Sequence, residues 1–99
     1  MTYDQFMKLE KFDGVIVDEE VGTITSIVDY KKGSAVQSIR GMTTVALHDM
    51  REMEISFTNK YTGCIEKMYF IVYTGCSEVV HNWSVLDRLS VWDPLGMLS

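Results

Sequence analysis

The clearest structural signal in the chain is the stretch Met53-Glu54-Ile55-Ser56-Phe57-Thr58. Apolar and polar residues alternate along it, and successive strand residues point to opposite faces of a sheet, so it predicts a β-strand with one buried and one solvent-facing side. Residues 59–63 contain Asn and Gly and are typical of a hairpin loop. The segment 64–74 is apolar on both faces at its centre, which predicts a long central strand with neighbours covering both of its edges.

β-Branched residues and recurring glycines before this stretch predict further strands. The predicted strands cover residues 15–17, 21–30, 35–40 and 43–48. Residues 31–34, Lys-Lys-Gly-Ser, are typical of a hairpin connection in which Gly33 takes a positive φ. We therefore expect residues 35–40 to return antiparallel to residues 21–30.

Helices are predicted on either side of the strands. Thr2 and Gln5 have the spacing of a capping box, which predicts a helix from about Tyr3 to Phe12, ended by Asp13-Gly14. Apolar residues recur near helical spacing over residues 78–90 and predict a second helix. A last strand is the alternative, because Val79, Val80 and Trp83 are good β formers. After it, Pro94 ends regular structure and leaves a short apolar tail.

Length and composition predict one compact domain over residues 1–99. A chain of 99 residues, 46% of them hydrophobic, supports one core and is too short for two. The predicted fold class is α+β, with an N-terminal helix, an antiparallel sheet of about five or six strands, and a C-terminal helix and apolar tail packed on one sheet face.

Membrane insertion and secretion are not expected. The longest apolar run, residues 68–73, is far shorter than the roughly twenty residues that a membrane-spanning helix needs. The first five residues lack the basic start and apolar stretch of a secretory signal, and two cysteines are too few for a disulfide-rich secreted domain. We therefore expect a cytoplasmic protein.

The charge of the chain favours a basic partner and disfavours direct binding to nucleic acid. The net charge is −5 and the isoelectric point is near 4.8, so phosphate backbones are repelled. Carboxylates concentrate toward both ends of the chain, and they form one acidic face if those ends pack on the same side. The alternative is an acidic protein kept soluble by scattered carboxylates.

Metal binding and catalysis are not expected, and no cofactor is predicted. The residue types of a zinc site occur at His48, Cys64, Cys76 and His81. Their spacing lacks the close ligand pairs of structural zinc sites, and one extended strand over residues 64–74 separates the two cysteines by roughly 35 Å. A cysteine and a histidine oriented by Asp49 or Asp87 have the residue types of a catalytic triad, but no catalytic or phosphate-binding motif accompanies them.

Two kinds of contact residue are predicted. The acidic turn Asp18-Glu19-Glu20 offers carboxylates to a partner's Arg and Lys, although a solvated turn is the alternative. The tail offers aromatic and apolar side chains of the type that anchors interfaces, with packing on its own domain as the alternative. The predicted partner-binding residues are Asp13, Asp18, Glu19, Glu20, Trp92, Asp93, Met97 and Leu98.

These features together predict a small acidic, non-enzymatic protein-binding module that docks on a larger, basic, nucleic-acid-handling protein. As a compact acidic protein without motifs, the chain resembles phage-encoded viral inhibitors, including anti-CRISPR and other anti-defence proteins. The resemblance is one of general type, and no stretch of the chain matches a particular family. The alternative is a homo-oligomeric structural or assembly protein that buries residues 92–98 against a neighbouring copy.

Overall fold

The chain folds into an α+β structure with a five-stranded antiparallel sheet and two short helices. A computed structural model describes residues 1–37, 43–75 and 80–93, with Val80 and His81 described by their backbone alone. In chain order the elements are α1 (Tyr3–Met7), β1 (Gly14–Val17), β2 (Glu20–Tyr30), β3 (Ala35–Gln37), β4 (Thr43–Val45), β5 (Met50–Thr58), β6 (Ile65–Tyr73), α2 (Val80–Leu86) and β7 (Leu89–Val91). None of these helices is long and apolar enough to cross a membrane.

The strand order of the main sheet is β6-β5-β2-β1-β7. β3 and β4 pair only with each other among the described strands, so the prediction that residues 35–40 return along β2 was wrong. The long strand β5 takes that edge of β2, with Tyr30 opposite Met50. Gly33 has the expected positive φ of 89°, but its N–H donates to the carbonyl of Ala46 and closes the base of the β3–β4 hairpin instead.

The predicted alternation is confirmed in β5, which begins at Met50, three residues earlier than expected. Met53, Ile55 and Phe57 are buried, whereas Glu54 is half-buried on the opposite face. The predicted strand over residues 43–48 is shorter than expected and ends at Val45, and residues 38–40 of the other predicted strand lie outside the described residues.

The prediction that residues 64–74 form a central strand was wrong, because β6 lies at an edge of the sheet. After β6 the chain passes through α2 to the far side of the sheet, where β7 pairs with β1 and leaves no strand on the outer side of β6 among the described residues. Phe70 and Val72 of β6 are buried in the core, whereas Tyr69 points to the opposite face and is partly exposed.

The N-terminal capping box is confirmed, but α1 is shorter than predicted. The Thr2 hydroxyl accepts a hydrogen bond from the Gln5 N–H, and the Gln5 side chain accepts one from the Thr2 N–H. The helix ends at Met7 rather than Phe12. Phe12 has a left-handed φ of 77° and donates its N–H to the carbonyl of Ile24, so residues 8–13 form turns that join α1 to the sheet.

The segment predicted as a helix over residues 78–90 contains both a helix and a strand. The predicted helix is confirmed over Val80–Leu86, where Val80 and Trp83 had suggested the alternative of a strand. The strand that does form, β7, lies after those residues, at Leu89–Val91. The carbonyl of Arg88 accepts a hydrogen bond from the Asp18 N–H, which draws the chain into pairing with β1. Residues 78 and 79 and the tail after Asp93 lie outside the described residues.

The core lies between the two helices and one face of the sheet. Phe6 of α1 and Val85 and Leu86 of α2 pack there with the inward-facing strand residues. The sheet residues of this cluster are Val15, Val17, Ile24, Met53, Ile55, Phe57, Phe70, Val72 and Leu89.

Candidate functional site

The predicted partner-binding residues divide between the two ends of β1. Asp13 precedes this strand and Asp18 follows it. Five residue steps at about 3.3 Å each separate them by roughly 16 Å. The structure therefore separates the acidic turn from Asp13, and each end of β1 has its own surroundings.

At one end, Asp18 and Glu19 form the two-residue turn that joins β1 to β2. Both residues have positive φ, 47° and 73°, as hairpin turns of this length require. The Asp18 carboxylate is held by Arg88, whose Nη2 lies 2.6 Å from Oδ2. These hydrogen bonds lower the pKa of Asp18. Asp18 therefore ties the turn to the start of β7. Glu19 in the turn and Glu20 at the start of β2 are both exposed.

At the other end, Asp13 and Trp92 meet in an open cleft of about 490 Å³. We call this feature the Trp92 cleft; it is lined by Gln5, Lys8, Leu9, Asp13, Gly14, Val91 and Trp92. The cleft combines residues of α1, the turns after it, the start of β1 and the end of β7. It thus offers an apolar wall, an amide and one charge of each sign.

Trp92 is held in place by the absence of a side chain at Gly14. A Cβ atom on Gly14 would overlap the indole ring of Trp92, so the ring lies directly against the β1 backbone. Trp92 nevertheless remains 43% exposed. The residue that appeared in the sequence as a helix stop is therefore a strand residue that makes room for an aromatic wall.

Asp13 is also fixed by its neighbours. Its carboxylate accepts a hydrogen bond from the Glu10 N–H at 2.8 Å, and its carbonyl accepts one from the Ile24 N–H at 2.9 Å. The side chain remains exposed at the cleft. A positioned carboxylate beside an exposed indole is suited to a guanidinium or ammonium group, because the carboxylate pairs with the cation and the indole face attracts it.

Sequence reasoning identified only two of the residues that line the cleft. It missed Gln5, Lys8, Leu9, Gly14 and Val91. The sequence carries no signal for this grouping, because 78 positions separate Gly14 from Trp92. Asp93 follows directly after Trp92 and is half-buried, whereas Met97 and Leu98 lie outside the described residues.

The residues considered for metal binding and catalysis are not brought together where the structure describes them. His48 lies edge-on to the ring of Tyr73 at 5.6 Å, whereas Cys64 lies beyond the other end of β6, about 30 Å away at the usual rise per residue. Cys76 and the His81 side chain lie outside the described residues. Within the described ranges, no three His, Cys, Asp or Glu side chains are grouped to hold a metal ion.

Comparisons with family models, with curated proteins and with solved structures gave no significant match to this chain.

Proposed function

We propose that the protein is a non-enzymatic protein-binding module that docks on a larger, basic protein through the Trp92 cleft. The observation that carries the proposal is the pairing of two fixed groups at one open surface. Trp92 is packed on Gly14 and remains 43% exposed, and the Asp13 carboxylate, positioned by the Glu10 N–H, lines the same cleft.

The chemistry of the cleft favours an arginine or lysine side chain of the partner. Exposed tryptophans that already have a fixed position lose little conformational entropy on binding, which makes them frequent interface anchors. Of the two charged residues that line the cleft, Asp13 and Lys8, it is the Asp13 carboxylate that supplies the opposite charge to an incoming cation. The Leu9 and Val91 side chains can cover the aliphatic stem of that cation.

The net charge of −5 supports the same kind of partner at longer range. An acidic protein attracts a basic one before contact and speeds their encounter. Glu19, exposed on the turn at the other end of β1, contributes to this attraction without being a contact in the proposal. Proteins that bind nucleic acid are typically basic, so a cytoplasmic inhibitor of such a protein, of the phage anti-CRISPR or other anti-defence type, is the most specific form of the proposal.

The experiment is affinity capture from the native or host lysate, followed by titration of any captured protein with purified variants. Trp92→Ala should weaken binding roughly thirtyfold or more, as expected for the loss of an interface anchor. Trp83→Ala is the matched control, because Trp83 is a tryptophan of similar exposure, 53% against 43%, on α2 and outside the cleft.

A second pair of variants separates contact from attraction. Asp13→Lys and Glu19→Lys change the net charge equally, so both should slow association to a similar extent. Only Asp13→Lys should also speed dissociation, because it alone removes a group from the cleft. Circular dichroism of each variant checks that it remains folded.

Three outcomes would contradict the proposal. Equal effects of Trp92→Ala and Trp83→Ala would show that the cleft is not the contact. Loss of binding only on truncation after Asp93 would assign the contact to the tail. Recovery of nothing but the chain itself, as a stable oligomer, would favour the assembly alternative.

A further inference from the structure

The outer edge of β6 alternates between main-chain groups that pair with β5 and groups that point away from it. Thr74 donates its N–H to Asp49 on the β5 side, whereas the N–H and C=O of Tyr73 both bond to the Asn82 side chain at 2.8 Å. The β5–β6 register has no bulge, so the main-chain N–H and C=O groups of every odd-numbered residue of β6 point away from β5. Tyr73 is therefore capped by α2.

The part of this edge that residues 65–69 form is open among the described residues. Ile65, Lys67 and Tyr69 direct three N–H and three C=O groups outward, and these groups make no hydrogen bond in the part of the chain that the structure describes. The Ile65 side chain is 71% exposed and that of Tyr69 is 39% exposed. An edge with this composition is a template for another strand, because each free N–H and C=O can pair with an extended backbone.

We propose that the strand that pairs with this edge is β6 of a second copy, in an antiparallel arrangement centred on Lys67. A two-fold axis at Lys67 places Ile65 of each copy opposite Tyr69 of the other. All six outward groups of each copy are then paired, in three hydrogen-bonded residue pairs. The exposed side chains of Ile65 and Tyr69 also each gain an apolar neighbour across the new strand pair.

The charges around this edge are compatible with a second copy. Lys67 forms an ion pair with Glu54 of β5, with Nζ 3.3 Å from Oε1, which draws its side chain across the sheet and away from the edge. The acidic turn at Asp18 joins β2 to β1 and therefore lies two to three strands away, at about 4.8 Å per strand. The dimer thus joins the nearly neutral edges and keeps the acidic ends apart.

The capped ends do not obstruct this pairing. In the proposed register, Tyr73 of one copy falls opposite position 61 of the other. Position 61 lies in the β5–β6 turn, where the chain has already left the strand. The resulting ten-stranded sheet carries a Trp92 cleft toward each far end, so the dimer presents two clefts. The pairing itself stands on the β6 edge and does not depend on the proposed function.

The mass of the full chain in solution tests the proposal directly. Sedimentation from about 10 µM to about 1 mM should show a concentration-dependent species of twice the 11.3 kDa chain mass. Lys67→Pro removes the central outward N–H from both copies and should raise the dimer dissociation constant roughly tenfold or more. Lys67→Ala keeps that N–H and should remain dimeric, which controls for loss of the side chain.

Cross-linking tests the register, and it keeps the proposal open to refutation if the proline variant fails to fold. In a Cys64→Ser, Cys76→Ser background, Lys67→Cys should form a disulfide-linked dimer on oxidation, because residue 67 lies opposite itself. Tyr69→Cys in the same background should not cross-link, since it lies opposite Ile65. A monomer at the highest concentration, a dimer insensitive to Lys67→Pro, or equal cross-linking at both positions would overturn the proposal.

Discussion

The two edges of the five-stranded sheet are protected to different extents. At the β7 edge, the strand is only three residues long, and the amino group of Met1 donates to the carbonyls of Leu86 and Leu89. At the β6 edge, the strand has nine residues and the described cap is the Asn82 side chain at Tyr73. Short strands and local caps protect an edge, so the comparison shows one protected edge and one that stays half open.

The edges also differ in charge and in side-chain chemistry. The β7 side carries the acidic turn and the Trp92 cleft, whereas the open half of β6 offers exposed apolar side chains around a neutralised Lys67. The side proposed to bind a basic partner is therefore distinct from the side proposed to pair with another strand. The two proposed surfaces lie on opposite sides of the sheet and do not overlap.

Removing the cap of the β6 edge should have the largest effect on stability. Asn82 is fully buried, and Asn82→Leu would leave the N–H and C=O of Tyr73 without these two hydrogen bonds. We expect a loss of about 2–4 kcal/mol in the free energy of unfolding, because the variant loses both hydrogen bonds that tie α2 to the end of β6. Urea denaturation measures it, with Ser84→Ala, an exposed change on the same helix, as the control. A loss no larger than that of the control would show that the cap is unimportant.

Filling Gly14 should disturb the β7 side. Gly14→Ala should destabilise the protein by roughly 1–3 kcal/mol, because the new methyl group overlaps the Trp92 ring. The same change in a Trp92→Ala background should cost much less, so a double-mutant cycle by thermal denaturation would reveal strong coupling between the two positions. Additive effects would contradict the contact between the indole ring and the strand.

A glycine in the turn at the acidic end should stabilise the protein. Glu19 has a φ of 73°, a region that glycine occupies without strain, so Glu19→Gly should raise the free energy of unfolding by roughly 0.5–1 kcal/mol. Glu20→Gly removes the same charge from within β2 and should lower stability instead. Chemical denaturation of both variants separates the turn effect from the charge effect, and a shift of the same sign in both would contradict the turn geometry.

The ion pair that anchors this turn should have the smallest effect, and one that depends on pH. Arg88 lowers the pKa of Asp18 in the folded protein, so the pair stabilises the fold above the unfolded pKa of about 3.9. That contribution is lost as the pH falls through the lowered folded pKa. The stability difference between wild type and Asp18→Asn should therefore shrink between pH 6 and pH 3, as denaturation at each pH would show. A difference that stays constant would contradict the pairing.

Local patterns in the sequence determined the elements whose interactions are close in the chain. The alternation at Met53, Ile55 and Phe57 predicted a strand with one buried face, since side chains alternate along any strand. The spacing of Thr2 and Gln5 predicted the helix start, because both hydrogen bonds of a capping box lie within four residues. The positive φ of Gly33 followed from its place in a turn.

Only the tertiary structure decided what pairs across long distances in the chain. The apolar pattern of β6 suits a central or an edge strand equally, and its place was decided when β7 paired with β1 on the far side. Arg88 reaches Asp18 across 70 positions, and Trp92 reaches Gly14 across 78. The composition determined that the protein is acidic. Strand order alone brought Asp13 and Trp92 into one cleft and left Ile65 and Tyr69 on an edge of the sheet, because spatial neighbours in a sheet need not be neighbours in sequence.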